Sequence, residues 1–464
     1  MNNKRMSGES LDALKDIIPE NRLKTELPEM EDYCHDEYPD IFIEPEAVAL
    51  AENEDEISKI LKWSQKYNVP VTPRGLGTGL SGGCLAAEGG LILSLERMKS
   101  IREIDRQGLF VTTQPGIITK DLQDAVEKES LFYPPDPASL ESCSIGGNVA
   151  ENAGGPRAYK YGVTRQYVQG LKAILPDGER LSFGGKLIKN VSGYDIAGLI
   201  CGSEGTLAVI TEITLRLVSK PAQVIDLLIP FPSLRDAAET ISDFLSSGIV
   251  PNTMEFMDKA AIARSSKFIQ KELPYMSSQA QLLIQIEERE NIDSLLESVQ
   301  VVAERHNAED ILLAENPVQQ ELIWQARRNL YEALKQSEGS MEIADVSIPR
   351  HRIPLLIEGL RKISEINSTE IINYGHAGDG NVHVHVMQNF IESEEWDKRK
   401  LLIMKEIFNL VSSLEGVVSG EHGIGFLKKK YLKYCLDDQS LKLMQAIKKT
   451  IDPENLLNPG KIFI

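Results

Sequence analysis

Three of the chain's seven histidines fall within ten residues, in the segment Asn373-Tyr-Gly-His-Ala-Gly-Asp-Gly-Asn-Val-His-Val-His-Val386. They are His376, His383 and His385, and the turn Gly378-Asp379-Gly380-Asn381 separates the first from the other two. Val382 to Val386 alternates valine with imidazole, the period-two pattern of a strand, so His383 and His385 should point to one face. Imidazoles converging after a tight turn can hold a borderline divalent metal such as Zn²⁺. Further along, Ser419-Gly-Glu-His-Gly-Ile-Gly425 offers Glu421 to complete a metal shell and His422 to stand beside it as a base. A lone strand histidine is usually a hydrogen-bonded structural residue, but three beside flexible Gly-Asp-Gly favour a metal or catalytic site. The spacing is neither that of a zinc finger nor that of a His-Glu-x-x-His helix, so the pattern leaves Zn, Fe and Mn all open.

Such a site needs a framework, and 464 residues are enough for two or three domains. With 42% hydrophobic and 26% charged residues, the composition is that of a globular protein. A formal charge of −19 argues against a nucleic-acid partner, because a polyanion would be repelled. No apolar run approaches the roughly 20 residues that span a bilayer. The charged start, Met1-Asn-Asn-Lys-Arg5, does not read as a secretory signal. Five scattered cysteines (34, 84, 143, 201 and 435) without a Cys-x-x-Cys spacing fit free thiols in a reducing cytoplasm and no iron–sulfur cluster in this chain.

Residues 1–35 read as one or two helices. Glu44–Leu50 reads as a strand, a helix capped by Asn53 runs to about Tyr67, and Pro70-Val71-Thr72 is the next strand. Strands and turns continue to about Val218. Beyond residue 220 strands (Val224–Ile229, Gln281–Ile286) alternate with amphipathic helices (Leu234–Leu245, Ile292–Arg305, Val318–Lys335), which suggests an α+β domain with a sheet covered by helices. The tail reads as helices Lys429–Leu436 and Gln439–Thr450, then turns through Asn458-Pro-Gly460. The expected division is therefore 1–219 (core about 40–218), 220–419 and 420–464.

Glycines punctuate the first part. Pro73-Arg-Gly-Leu-Gly-Thr-Gly-Leu-Ser-Gly-Gly83 carries five glycines in eleven residues. Backbone N–H groups can cradle a phosphate only where no Cβ blocks approach, and glycine allows the φ > 0 turns that aim them inward. The loop lacks the Lys-Ser/Thr of a nucleotide-hydrolase loop, and it runs on into the strand Leu91–Leu95 rather than opening a helix. Pro134 to Gly155 is a long small-residue stretch, and Gly202-Ser-Glu-Gly-Thr-Leu-Ala-Val-Ile210 opens another strand. Three such stretches suggest a large, extended, diphosphate-bearing ligand.

The order of these motifs resembles the flavoprotein family of vanillyl-alcohol oxidase and p-cresol methylhydroxylase, and within it the FAD-linked D-2-hydroxyacid dehydrogenases of the D-lactate dehydrogenase and glycolate oxidase type. The motifs that carry the resemblance are Arg74-Gly75 to Gly83; Cys143-Ser-Ile-Gly-Gly-Asn-Val-Ala-Glu-Asn-Ala-Gly-Gly155; Gly193-Tyr-Asp with Gly202-Ser-Glu-Gly-Thr-Leu207; Gly375-His-Ala-Gly-Asp-Gly-Asn-Val-His383; Ser419 to Gly425; and Leu457-Asn-Pro-Gly-Lys461. The resemblance implies an α+β protein: a bipartite FAD-binding domain of two α/β subdomains, a substrate or cap domain with an antiparallel sheet covered by helices, and a C-terminal helical segment returning to the flavin site. It places FAD contacts on Arg74, Gly75, Gly77, Thr78, Gly79, Ser81, Gly82 and Gly83; on Pro135, Asp136 and Ser139; on Ser144, Gly146, Gly147, Asn148, Asn152 and Gly155; and on Gly162, Val163, Glu204, Gly205, Ile210 and Asn458. It places a divalent metal on His376, His383 and Glu421, with His385 as a less certain neighbour. It makes His422 the catalytic base and Arg327 the substrate-carboxylate arginine.

Two departures from the family pattern matter. Some relatives bind flavin covalently through a histidine in the pyrophosphate loop; this loop has none, which implies non-covalent FAD. Hydroxyglutarate-oxidising members carry a basic residue after the arginine, where this chain reads Met341-Glu-Ile-Ala-Asp-Val346, and they tend to have Asn where it has His385. Both point to a small substrate such as D-lactate or glycolate, oxidised to the 2-oxoacid. D-2-hydroxyglutarate oxidation, an oxidase using O₂, and an electron-relay subunit are the rival readings. An electron-transferring flavoprotein, an iron–sulfur subunit or a quinone is the expected acceptor, in a cytoplasmic protein that associates with a membrane, if at all, through a partner.

Overall fold

The computed structural model describes residues 6–221, 224–287, 292–314, 316–337, 339–389 and 391–463. The chain divides into two compact units. The first comprises Met1–Gly154, Gly162–Lys220 and Glu421–Ile464; the second comprises Gly155–Tyr161 and Pro221–Gly420.

In the first unit, the strands Ala47–Leu50, Leu91–Ser94 and Val71–Arg74 run parallel, in that spatial order, and Leu23–Lys24 adds an antiparallel edge. Parallel neighbours need a crossover, supplied between Leu50 and Val71 by the helix Glu54–Tyr67. Asn53 Oδ1 caps it by accepting from Glu56 N at 3.0 Å, and three acids in its first turn complement the helix dipole. Ile57, Ile60, Leu61 and Ser64 repeat at helical spacing and are buried; the apolar three pack on Ala47, Ala49, Val71, Leu91 and Leu93. The sheet's carboxyl ends therefore sit fixed, and the glycine loop leaves from one of them, at Arg74. A second sheet is antiparallel and five-stranded, in the order Ile101–Asp105, Phe110–Thr113, Val209–Arg216, Val168–Ile174, Arg180–Gly184. After the helix Asp438–Ile451 the chain returns to the first sheet, where Asn458 N donates to Val71 O at 2.7 Å.

The second unit is a seven-stranded antiparallel sheet in the order Leu312–Ala314, Ile225–Phe231, Ala280–Ile286, Thr253–Asp258, Ile371–His376, Asn381–Met387, Met341–Ser347. Ile225–Phe231 and Asn381–Met387 are buried at every position, so both faces of these strands are covered. Helices include Leu234–Ser246, Lys259–Ile269, Pro317–Arg328, Ile353–Asn367 and Ser393–Ser413.

Three elements differ from the sequence reading. The single helix expected over Val318–Lys335 is two, Pro317–Arg328 and Leu330–Lys335. At the joint Asn329 Nδ2 donates to Gln325 O at 2.9 Å, a side-chain bond that competes with the helix's own ladder. Lys429–Tyr434 is a 3₁₀ segment rather than an α-helix to Leu436. The first strand begins at Ala47, since Pro45 has no N–H to give a ladder.

Candidate active site

The hairpin Ile371–His376 to Asn381–Met387 builds the centre of the second unit's site. Gly380 closes it at φ +88°, where a Cβ would strike Ile348 O. Register then decides which side chains meet. His376 lies opposite both Asn381 and Glu255; His383 lies opposite both Tyr374 and Asp345. Directly opposed residues share a face, and so do residues two apart on one strand. Glu255, Asp345, Tyr374, His376, Asn381, His383 and His385 therefore line one face of the sheet. The His376 and His383 rings meet edge to face, 5.1 Å between centroids, and both are buried.

Two fully buried carboxylates orient this face. Glu255 Oε1 lies 2.6 Å from His376 Nδ1, and its Oε2 lies 2.6 Å from Nη2 of Arg327. The first contact fixes the orientation of the His376 ring. Burial pushes the Glu255 carboxyl up, but the charges of His376 and Arg327 and the His376 hydrogen bond outweigh it, leaving the group below the usual carboxylate range. Asp345 Oδ1 accepts from Asn381 Nδ2 at 2.7 Å and lies 3.4 Å from His383 Nδ1. Its Oδ2 accepts from Gly420 N at 3.0 Å and Ser419 Oγ at 3.2 Å. A carboxylate hydrogen-bonded to His376 and another close to His383 leave two buried imidazoles on one face, a donor set that fits a divalent cation. His385 is used differently: its Nε2 bonds Tyr374 Oη at 3.0 Å and its ring stacks on that tyrosine.

Arg327 comes from the helix Pro317–Arg328. It is 6% exposed, and its guanidinium carbon stands 4.8 Å from the Tyr374 ring centre. Its contact with Glu255 is a close ion pair outside hydrogen-bond geometry, and its Nε has no hydrogen-bond partner among the described residues. A buried guanidinium N–H left in that state suits a small anionic ligand.

In the first unit the glycine loop folds over its own strand. Arg74 turns inward, its Nη2 donating to Asp32 O at 2.8 Å and His35 O at 2.9 Å and its Nη1 to Cys84 Sγ at 3.0 Å. Its guanidinium braces the loop from below. Gly77 and Gly82 stand at φ +78° and +72°. A Cβ on Gly75 would lie 2.5 Å from Ser144 Oγ and 3.7 Å from Gly147 N, so the loop rests against the start of the helix Ile145–Glu151. Asp36 Oδ2 accepts from Gly82 N at 2.8 Å, and burial pushes its carboxyl up to about 6. The C-terminal Asn458 closes the frame by donating from Nδ2 to Gly83 O at 3.0 Å and Glu204 O at 2.8 Å. Ser81 Oγ and Ser203 Oγ are buried without hydrogen-bond partners among the described residues. Bare glycine backbone with spare hydroxyls beside it fits the diphosphate of a dinucleotide.

The same unit carries Glu421 and His422. Glu421 packs against Gly154, where a Cβ would lie 2.8 Å from Glu421 Oε2, and its Oε1 lies 4.0 Å from His422 Nε2.

The structure thus brings Arg74, Gly75, Gly82, Gly83, Ser144, Gly147, Glu204, Gly205 and Asn458 into one frame, and His376, His383 and Arg327 onto another through Glu255. Pro135 O accepts from Gln123 Nε2 at 2.9 Å, and Ser139 O accepts from Ser142 and Cys143 N, in the turns that lead to Ser144. Asn152, at φ +57°, accepts from Arg165 N at 2.9 Å, and Val163 N donates to Gln166 Oε1 at 2.8 Å. Gly155 belongs to the second unit. Sequence reasoning missed Glu255 and Asp345. A charge inside the apolar runs Met254-Glu-Phe-Met257 and Ile343-Ala-Asp-Val346 was the available signal, since strand carboxylates are rarely buried unless paired.

Comparison with known proteins identifies the family of this chain. The family described as FAD linked oxidases, C-terminal domain, matches residues 220–462, and that described as FAD binding domain matches residues 45–184. The glycolate oxidase subunit GlcD of Bacillus subtilis is 38% identical over 93% of this chain and 92% of its own length. The D-lactate dehydrogenase of Anaerostipes hadrus is 34% identical over 99% and 98%, and that of Archaeoglobus fulgidus 37% identical over 94% and 96%. Among solved structures, p-cresol methylhydroxylase with substrate bound shares the fold at a TM-score of 0.81 and 15% identity, covering 99% of this chain and 98% of that one. The mixed fold and the flavoprotein resemblance read from the motifs hold, and this chain is a member of the FAD-linked oxidase family, an oxidoreductase with the p-cresol methylhydroxylase fold.

Proposed function

We propose that this protein oxidises a small D-2-hydroxyacid, D-lactate first and glycolate second, to the 2-oxoacid, and passes the electrons to a protein or quinone acceptor. The observation that carries this reading is Arg327: a buried guanidinium with an unbonded Nε, beside two buried imidazoles. Arg327 holds the substrate carboxylate, with its planar fork suited to two parallel bonds. Tyr374 and Glu255 fix the guanidinium from behind. FAD, bound without a covalent link because Pro73–Gly83 holds no histidine, supplies the two-electron acceptor for the α-hydrogen. By the motif, His376, His383 and Glu421 would hold a divalent cation, whose positive charge would make the 2-hydroxyl more acidic. His422, on the strength of its motif, takes the hydroxyl proton. Substrate size follows from charge. The face that carries Arg327 also carries the buried Asp345 and Glu255, so a second substrate carboxylate would be repelled and unpaired there.

The test is anaerobic bleaching of the bound flavin by D- and L-lactate, glycolate and D-2-hydroxyglutarate. D-lactate or glycolate should give the highest specificity constant; D-2-hydroxyglutarate in first place overturns the substrate assignment. His422→Asn should keep FAD and metal yet slow flavin reduction about 10²- to 10⁴-fold. Under air, a low peroxide yield distinguishes a dehydrogenase from an oxidase.

A further inference from the structure

The Glu204 carboxylate is taken up by the backbone that follows His422. Its Oε1 accepts from Ile424 N at 2.8 Å and its Oε2 from Gly425 N at 2.6 Å. These are the second and third peptide N–H groups after His422. The carboxylate is 7% exposed and belongs to a residue at φ +53°, a backbone conformation that disfavours a side chain and here aims it at the loop. A second carboxylate, Glu151, closes the loop on the same side. Gly423 stands at φ +75°, and a Cβ there would overlap Glu151 Oε2. Just beyond, Phe426 N and Leu427 N donate to Ser81 O, at 2.9 and 3.1 Å, within the glycine loop.

We propose that Glu204 is a positioning residue for His422: its carboxylate clamps the backbone at Ile424 and Gly425, Glu151 packs beside it against Gly423, and the clamp fixes where the imidazole stands. The inference rests on His422 being the base. The two backbone bonds fall on two separate oxygens of Glu204 and oppose the rise that burial imposes on its carboxyl. Burial pushes the Glu151 carboxyl well up, and the neighbouring Glu204 charge adds to it. Lys428 and Lys461 supply the positive charge facing Glu204, and Lys428 and Asp36 face Glu151. A loop that carries a base needs such a clamp, because displacement of the base by about 1 Å can cost on the order of 10²-fold in rate.

Glu204→Gln keeps the shape and removes one acceptor. Two readouts on the FAD-loaded protein test it. By amide hydrogen exchange, the peptide spanning 421–428 should exchange roughly 10- to 100-fold faster at one of Ile424 and Gly425 than in the parent, the change for losing a hydrogen bond to a charged group. Unchanged protection overturns the clamp whatever the chemistry. By flavin reduction with D-lactate, Glu204→Gln should be slower by about tenfold at saturating substrate, and adding it to His422→Asn should slow that variant no further. Multiplying losses in the double variant overturn the route through His422. A wild-type rate in His422→Asn alone overturns instead the base assignment, which the exchange result does not touch. If Glu204→Gln loses its flavin, Gly423→Ala carries the test, since its Cβ would press on both the Glu151 and the Glu204 carboxyl groups. Flavin retained with a slowed rate supports the clamp, and flavin retained with a wild-type rate overturns it.

Discussion

The cofactor frame of the first unit presents backbone, whereas the sheet face of the second presents side chains. In the first, Gly75, Gly77, Gly79, Gly82 and Gly83 remove Cβ atoms, and buried side chains such as Arg74, Asp36 and Asn458 work behind the loop to hold its shape. In the second, the backbone is a regular antiparallel ladder, and specificity lies in which residues the register sets opposite one another. A ligand bound by bare amides is lost by adding atoms. A ligand bound by imidazole and guanidinium is lost by removing them. The two frames should therefore fail independently and in opposite ways.

The largest effect is expected on the side-chain face. His383→Ala should lose the divalent metal and slow flavin reduction by at least about 10³-fold while the protein stays yellow, because one of few ligands is gone and Asp345 loses its neighbour. Metal content by plasma mass spectrometry and a single-turnover trace check it; stoichiometric metal with full activity removes His383 from the site. Next comes Arg327→Met, which should raise KM for the hydroxyacid by roughly 10²-fold or more, the scale of a lost charge-assisted contact made worse by leaving Glu255 buried with one fewer cation. An unchanged KM would show that the carboxylate is held elsewhere.

Gly75→Ala breaks the other frame. A new Cβ only 2.5 Å from Ser144 Oγ forces the loop away from the helix start, and FAD affinity should fall by about one to two orders of magnitude. Metal content should be untouched. The readout is FAD released by acid from the purified variant and re-bound by titration; loss of metal together with flavin would show that the two frames are not independent.

The smallest effect is on pH. Burial pushes the Asp36 carboxyl up to about 6 from its ordinary value near 4. The folded state then keeps a proton that the unfolded chain releases, so this group's stabilisation is present below about pH 4 and is lost as the pH rises through 6. The whole swing is at most roughly 3 kcal/mol. Asp36→Asn should flatten the stability profile between pH 4 and 6, measured by urea unfolding; an unaltered slope assigns the pH response to other groups.

The parallel-sheet crossover was legible because capping and periodicity agree: Asn53, then acids, then Ile57, Ile60, Leu61 and Ser64. The break at Asn329 was not, since the flanking apolar periodicity continues past it and hides an amide that bonds Gln325 O. The face shared by His383 and His385 could be read from alternation. That His385 would be taken up by Tyr374 could not, because alternation fixes a face and not a partner.

What the amino-acid sequence determined by itself is chemistry and spacing: glycines where amides must be bare, imidazoles two apart on a strand, and a carboxylate next to a histidine in Ser419–Gly425. Such features survive in one dimension because their geometry is set within a few residues. The tertiary structure alone decided the partners. Glu255 lies 121 positions before His376 in the chain, and Glu204 lies 220 positions before Ile424. Each becomes a neighbour only when strand register or loop packing closes that distance. A buried carboxylate persists in the fold only where such a partner offsets the loss of its water.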